Sequence, residues 1–198
     1  MPDHGGPRPS LILGISGATG AVLADAAAKA LLDRGERLDV VCSDYGELMW
    51  HHEMQERFRD AAARWKSHGD LTVHRPQDVA APISSGSYPV RGMLIVPCSM
   101  ATLGALASGA GTNLLHRAAD VTLKEKRRLV IVPRETPLST IHLRNLLTLA
   151  EAGATVLPPE PAFYLRPSKV SEIVDALVDR MLQALGVIES PADEHRWA

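Results

Sequence analysis

Short apolar runs and longer helical patterns alternate along this chain. Leu11-Ile12-Leu13-Gly14-Ile15 reads as a first strand, followed by an Ala-rich helix from about Thr19 to Arg34 that Gly35 can end. Leu38 to Cys42 reads as a second strand. Residues 44–68 are polar and charged, with helical character in part. Met93 to Val96 reads as a strand leading into Gly/Ala-rich helix up to about Ser108, and a further helix spans about Asn113 to Arg127. A strand at Leu129 to Val132, a helix from Ser139 to Glu151 ended by Gly153, and a short strand at Ala154 to Leu157 complete the alternation. The last helix is the clearest: Val170, Ile173, Val174, Leu177, Val178, Met181, Leu182 and Leu185 recur at three- and four-residue spacing, one apolar stripe that must pack on a sheet. Strands alternating with helices predict an α/β fold built on a doubly wound parallel sheet. No repeat or linker divides it. The pattern predicts a disordered N-terminal segment over 1–10, a single domain over 11–187 and a C-terminal tail over 188–198.

Composition narrows the class. With 45% hydrophobic but only 4% aromatic residues in 198, the core is aliphatic and of one-domain size. A formal net charge of -2 gives no electrostatic case for nucleic acid or an anionic membrane. The densest basic run, Lys124 to Arg128 with one Glu, closes a helical pattern, where cations suit the helix dipole. Cys42 and Cys98 each end an apolar run and read as small buried hydrophobes rather than metal ligands. Neither a signal peptide nor a membrane span is expected, so the simplest location is cytoplasmic.

The chemistry gathers beside the strands. In an open α/β sheet, ligands collect outside the carboxyl ends of the strands. The first strand is followed by Ser16-Gly17-Ala18-Thr19-Gly20 and the second by Ser43-Asp44. Ser84 to Tyr88 precedes Met93 to Val96, and Pro97-Cys98-Ser99-Met100-Ala101-Thr102 follows it. Pro133-Arg134-Glu135-Thr136-Pro137 sets a permanent cation beside a carboxylate between two prolines, and Pro159 to Tyr164 follows the last strand. Hydroxyls, glycines and an arginine of this kind suit a phosphate cradle, because small residues let backbone N–H groups approach oxygens. No single piece is specific. Gly14, Gly17 and Gly20 lack the G-x-G-x-x-G spacing, and a Gly-rich turn alone often just joins strand to helix. Ser43 stands where a carboxylate would grip a dinucleotide ribose, so a mononucleotide such as FMN fits better. From pattern alone Glu53 reads as a solvated carboxylate, Arg180 as a stem covering core surface, and Tyr164 as a core-edge residue with a wet hydroxyl.

Taken together these motifs resemble the UbiX/Pad-type flavin prenyltransferases, long described as aromatic-acid decarboxylases. The residues are Gly14 to Ala21, Ile83 to Ser87, Pro97 to Ser99, Arg117 to Arg128, Val132 to Pro137 and Pro161 to Tyr164. The run from Arg117 through Pro137 is the most specific part. The resemblance implies a flavodoxin-like (Rossmann-like) domain assembled as a homododecamer, with sites at subunit interfaces. It implies a metal-independent prenyltransferase. Reduced FMN would be the substrate that receives a dimethylallyl group from dimethylallyl monophosphate at N5 and then C6, with release of phosphate. The prenylated FMN would serve a UbiD-type decarboxylase partner.

Carried over by motif, Gly17, Ala18, Thr19, Ser43, Ser99, Met100, Ala101, Thr102 and Arg134 are the expected FMN contacts. Ser85, Arg117, Lys124, Tyr164 and Arg180 are expected on the prenyl and phosphate side, with Trp197 as a covering aromatic of the tail. Glu53, Glu135, Thr19 and Lys124 are the expected catalytic groups. An allylic phosphate leaves readily only if preorganised cations and donors meet its charge, and an arginine can do so bidentately. Two departures stand out: Thr19 replaces a frequent serine, and Val79 replaces an aromatic found in some members. Two other readings compete. One is an FMN-dependent cysteine decarboxylase of the same fold class, against which the loop Pro82 to Ser87 has no asparagine. The other is a non-catalytic FMN-binding accessory subunit, against which the chain keeps Glu53, Glu135, Lys124 and Arg180 together.

Overall fold

A computed structural model describes residues 9–196. Six strands form one sheet: β1 (Ser10–Ile15), β2 (Leu38–Cys42), β3 (Leu71–His74), β4 (Val90–Cys98), β5 (Arg128–Pro133) and β6 (Thr155–Val156). Their order is β3-β2-β1-β4-β5-β6 and every pairing is parallel. Seven α-helices connect them: α1 (Ala21–Leu32), α2 (Asp44–Met54), α3 (Phe58–Trp65), α4 (Met100–Ser108), α5 (Leu114–Lys124), α6 (Thr140–Glu151) and α7 (Val170–Leu185). The doubly wound sheet is therefore present, with one strand more than the hydrophobic pattern predicts. Leaving β3 aside, the other five strands run 2-1-3-4-5 in their own sequence order, the flavodoxin-like arrangement, and β3 extends it at one edge.

The strands are nearly all apolar because helices cover both faces. Leu11, Leu13 and Ile15 of β1 join Leu94, Val96, Val130 and Val132 in one core, against α1, α3 and the apolar stripe of α7. Ile12, Met93, Ile95, Leu129 and Ile131 point the other way, into a second core closed by Leu103 of α4, Leu115 of α5 and Leu149 of α6. Adjacent residues on one strand thus serve opposite cores, as the two-residue strand period requires. Both cysteines are free and buried within these cores.

The polar stretch over 44–68 forms α2 and α3. Trp50, Phe58 and Trp65 pack edge to face, with ring centroids 5.4 to 5.8 Å apart. Asp25 of α1 ties α3 down: one oxygen accepts from Trp65 Nε1 and Arg64 Nη2, each at 2.8 Å, and the other from Lys29 Nζ at 2.6 Å. Burial alone would raise the Asp25 carboxyl, but the hydrogen bonds from Lys29 and Trp65 and the two cations together hold it below the usual carboxylate range. Among the described residues no helix is long and apolar enough to cross a membrane.

Candidate functional site

The strand order reverses between β1 and β4, so a crevice must open above their carboxyl ends. Ser16 stitches its floor. Its N–H and hydroxyl donate to Pro97 O at 3.2 and 3.1 Å, and its Oγ accepts the Ser99 N–H at 2.7 Å. Gly17 begins the first wall. A Cβ there would lie 2.4 Å from Tyr45 Cβ, so only glycine lets α2 close over the loop. Gly20 turns the chain into α1 with φ 116°, a left-handed conformation that suits glycine.

Two helix N-termini meet the crevice, and they are treated differently. At α1, Glu53 has reached across from α2. Its carboxylate accepts the Gly20 N–H at 2.9 and 3.0 Å and the Ala21 N–H at 2.9 Å. A carboxylate on a helix N-terminus is the favourable sign for the dipole. Glu53 is therefore a half-buried, fully engaged group and not the solvated carboxylate its pattern suggests. At α4, Ser99 caps its own helix by accepting the Thr102 N–H at 3.2 Å, and its hydroxyl also lies 3.2 Å from Thr102 Oγ1. This leaves the Met100 and Ala101 amides without an intrahelical acceptor. Ser43 caps α2 in the same way, accepting from Gly46 N at 3.0 Å, and is buried beside the crevice rather than lining it.

β5 delivers the opposite wall. The Arg134 N–H donates to Cys98 O at 3.1 Å, extending the β4–β5 pairing to the crevice edge. The Arg134 Nε atom is buried without a hydrogen-bond partner, a costly arrangement that a ligand would relieve. Glu135 is exposed, and one of its oxygens accepts the next residue's N–H at 3.0 Å.

These walls border three clefts that share residues. One of about 150 Å³ is lined by Gly17, Ala18, Thr19, Met49, Ser99, Met100, Arg134 and Glu135. Arg134 and Glu135 also line a second, of about 340 Å³, that runs to Pro158 and Glu160. Those two residues in turn border a third, of about 300 Å³, with Tyr164, Arg180 and His195. One trough thus follows the carboxyl edge of the sheet from the Gly17 loop to α7. Met49 is a lining residue that sequence reasoning missed. It lies four residues before Glu53 on α2, so the two share a helix face, and that spacing was the available signal. His195 was also missed, since the tail carries no periodic pattern.

Three expected substrate residues lie elsewhere. In a parallel sheet a loop entering a strand sits at the edge opposite the loop leaving it. Ser85 precedes β4 and Lys124 precedes β5, so both belong to the amino edge. The nine residues of β4, at about 3.3 Å each, separate the two edges by roughly 25 Å. There Ser85 bonds Ser87 Oγ at 2.9 Å, Lys124 pairs with Glu125, and Arg117 donates to Ser84 O at 3.1 Å and to Asp120 at 2.6 Å. Counting the Ser84–Tyr88 loop with the strand-end cleft is therefore corrected: one chain does not bring Ser85, Arg117 and Lys124 to Arg134. Trp197 lies outside the described residues.

The arrangement matches a known group of proteins. The family model described as Flavoprotein matches residues 3–182. The flavin prenyltransferase UbiX of Synechocystis sp. is 45% identical over 197 residues, spanning 94% of this chain and 95% of that protein. The chain belongs to the UbiX-type flavin prenyltransferase family. Two solved members of this flavoprotein group superpose on nearly all of it. A crystal structure of AnUbiX (PadA1) in complex with FMN and dimethylallyl pyrophosphate gives a TM-score of 0.87 at 40% identity, covering 97% of this chain and 98% of that one. A dodecameric FMN-dependent UbiX-like decarboxylase from Escherichia coli O157:H7 gives 0.86 at 44%, covering 96% and 98%.

Proposed function

We propose that this protein joins a dimethylallyl group from dimethylallyl monophosphate to N5 and C6 of reduced FMN and releases phosphate. The observation that carries the reading is the Arg134-Glu135 junction. It places an unpartnered buried Arg134 Nε and an available carboxylate where two adjoining clefts of the trough share their lining. The residues present fit FMN. The open α4 N-terminus at Met100 and Ala101, with the Ser99 and Thr102 hydroxyls, suits a terminal phosphate, whereas the α1 N-terminus is already taken by Glu53. Gly17, Ala18 and Thr19 offer a flat, small-residue wall to a ring system, with Ser43 behind it and Arg134 opposite. Bound reduced FMN supplies the nucleophilic ring positions.

The chain's own residues do the rest. Tyr164 and Arg180, at the far end of the trough, receive the phosphate of the donor and stabilise its charge as it departs. Glu135 stands between the two ligand sites and takes part in the proton movements that two ring attachments require. Glu53 holds the loop against which the flavin rests, and Thr19 lines the cleft beside it. Ser85, Arg117 and Lys124 complete the site from a second copy of the chain, which is why the protein works as a homo-oligomer, a dodecamer on the pattern of its relative. The prenylated product passes to a UbiD-type decarboxylase. No observation favours the cysteine decarboxylase or the accessory-subunit reading.

The test is anaerobic incubation with reduced FMN and dimethylallyl monophosphate, with the diphosphate run in parallel. The expected product is a flavin heavier by one prenyl unit, formed from the monophosphate. An unchanged flavin mass in a protein that binds FMN tightly would leave only a flavin-binding role.

A further inference from the structure

The tail beyond α7 folds back on that helix through a carboxylate that the proposed chemistry has not used. Asp179 Oδ2 accepts the Ala192 N–H at 3.0 Å and His195 Nδ1 at 2.6 Å. The pair is largely covered, with side chains 12% and 16% exposed. A carboxylate can only accept, so His195 Nδ1 carries the proton in this bond. The ring is thereby fixed in orientation, and Nε2 is the nitrogen left for another partner. Gln183 Nε2 to Glu189 O, at 3.1 Å, and Arg196 Nε to Pro191 O, at 2.8 Å, hold the same segment in place.

The imidazole borders the third cleft together with Tyr164 and Arg180. An arginine, a phenol hydroxyl and, when the ring is an imidazolium, its Nε2–H are three donors in one cavity of about 300 Å³, suited to the three free oxygens of a phosphate monoester. Glu160 is the opposing charge on the same wall, and Glu194 borders the neighbouring cavity beyond the ring. Arg180 donates to the neutral Gln183 side chain, so an anionic ligand would give its charge a partner. We infer that His195 is a further binding residue for the donor's phosphate, with Asp179 as its positioning residue. The assignment rests on the prenyltransferase reading for the identity of the donor, but not for the anion site itself.

The test uses full-length, FMN-loaded protein. Inorganic phosphate is titrated while the His195 ring signal, identified by its loss in His195→Ala, is followed by NMR. A saturable shift is expected. In prenyl-transfer assays His195→Ala should raise KM for dimethylallyl monophosphate by about tenfold, as for loss of a hydrogen bond to a charged group, and weaken inhibition by inorganic phosphate in parallel. FMN affinity should stay unchanged. Asp179→Asn, which keeps an acceptor for the tail, should move KM and phosphate inhibition in the same direction by less. An active wild type with KM and phosphate inhibition unmoved in both variants overturns the inference. A wild type that makes no prenylated flavin while phosphate still shifts the His195 ring supports the anion site and overturns the prenyltransferase reading instead.

Discussion

The two edges of one parallel sheet spend their polar side chains in opposite ways. At the amino edge, Asp39 of β2 is 4% exposed, and its carboxylate accepts from Ser10 at 2.5 Å, from His74 at 2.6 Å and from the Tyr88 hydroxyl at 3.2 Å. Strands β1, β2 and β3 and the loop entering β4 meet in that closed network. At the carboxyl edge, Arg134 Nε has no partner, Glu135 is exposed, and α4 begins with open amides. Polar groups satisfied by one another hold elements together, and polar groups left over are available to ligands. The difference distinguishes a fastening from a site with the same residue types.

The largest expected effect breaks the fastening. Asp39→Ala should cost about 3–5 kcal/mol of stability, because it strands His74 and two hydroxyls in a buried place. Urea denaturation measures it, and a loss under about 1 kcal/mol would mean that water already serves this edge. Whatever folded protein remains should bind FMN with wild-type affinity, since the crevice lies across the sheet.

The next prediction joins the two edges through a second copy of the chain. Glu135→Gln should slow prenyl transfer by about 10² or more while leaving FMN bound. Lys124→Ala, at the other edge, should be comparably impaired. If each site takes Glu135 from one chain and Lys124 from its neighbour, co-assembling equal amounts of the two variants restores about a quarter of the sites. Activity that stays at the level of the separate variants would place Lys124 outside the site altogether.

How much of this was legible in the sequence follows from what each feature depends on. β1, β4 and β5 were plain because burial on both faces makes a continuous apolar run. β3 was not, since Leu71 is its one buried residue and Thr72 and Val73 face outward at a sheet edge. The walls at Gly17–Thr19, Ser99–Met100 and Arg134–Glu135 could be read because each directly follows a strand. The engagement of Glu53 with α1 could not, because a contact across 33 residues leaves no local pattern. The Ser85 loop was assigned to the wrong edge because its composition resembles the true strand-end loops. Only its place before the strand, rather than after it, tells them apart.

The smallest expected effect uses pH to separate polar groups by how they are satisfied. His116, in the first turn of α5, is 9% exposed and accepts the Thr112 N–H at its Nδ1 at 3.2 Å, which requires that nitrogen to be unprotonated. Burial holds its pKa below the ordinary histidine value. The unfolded chain therefore takes up a proton more readily, and folding stability falls as pH drops below about 6.5, where an ordinary histidine titrates. Asp39 behaves differently. Burial alone would raise its carboxyl, but the hydrogen bonds from His74, Ser10 and Tyr88 and the nearby His74 charge together hold it below the usual range. Its contribution is complete above about pH 4 and is lost only as pH falls through the lower folded value. Denaturation midpoints measured from pH 7 to 3 should show two limbs. His116→Asn, which keeps an acceptor for Thr112, should flatten the first limb and leave the second. A first limb unchanged by that substitution would overturn its assignment to His116.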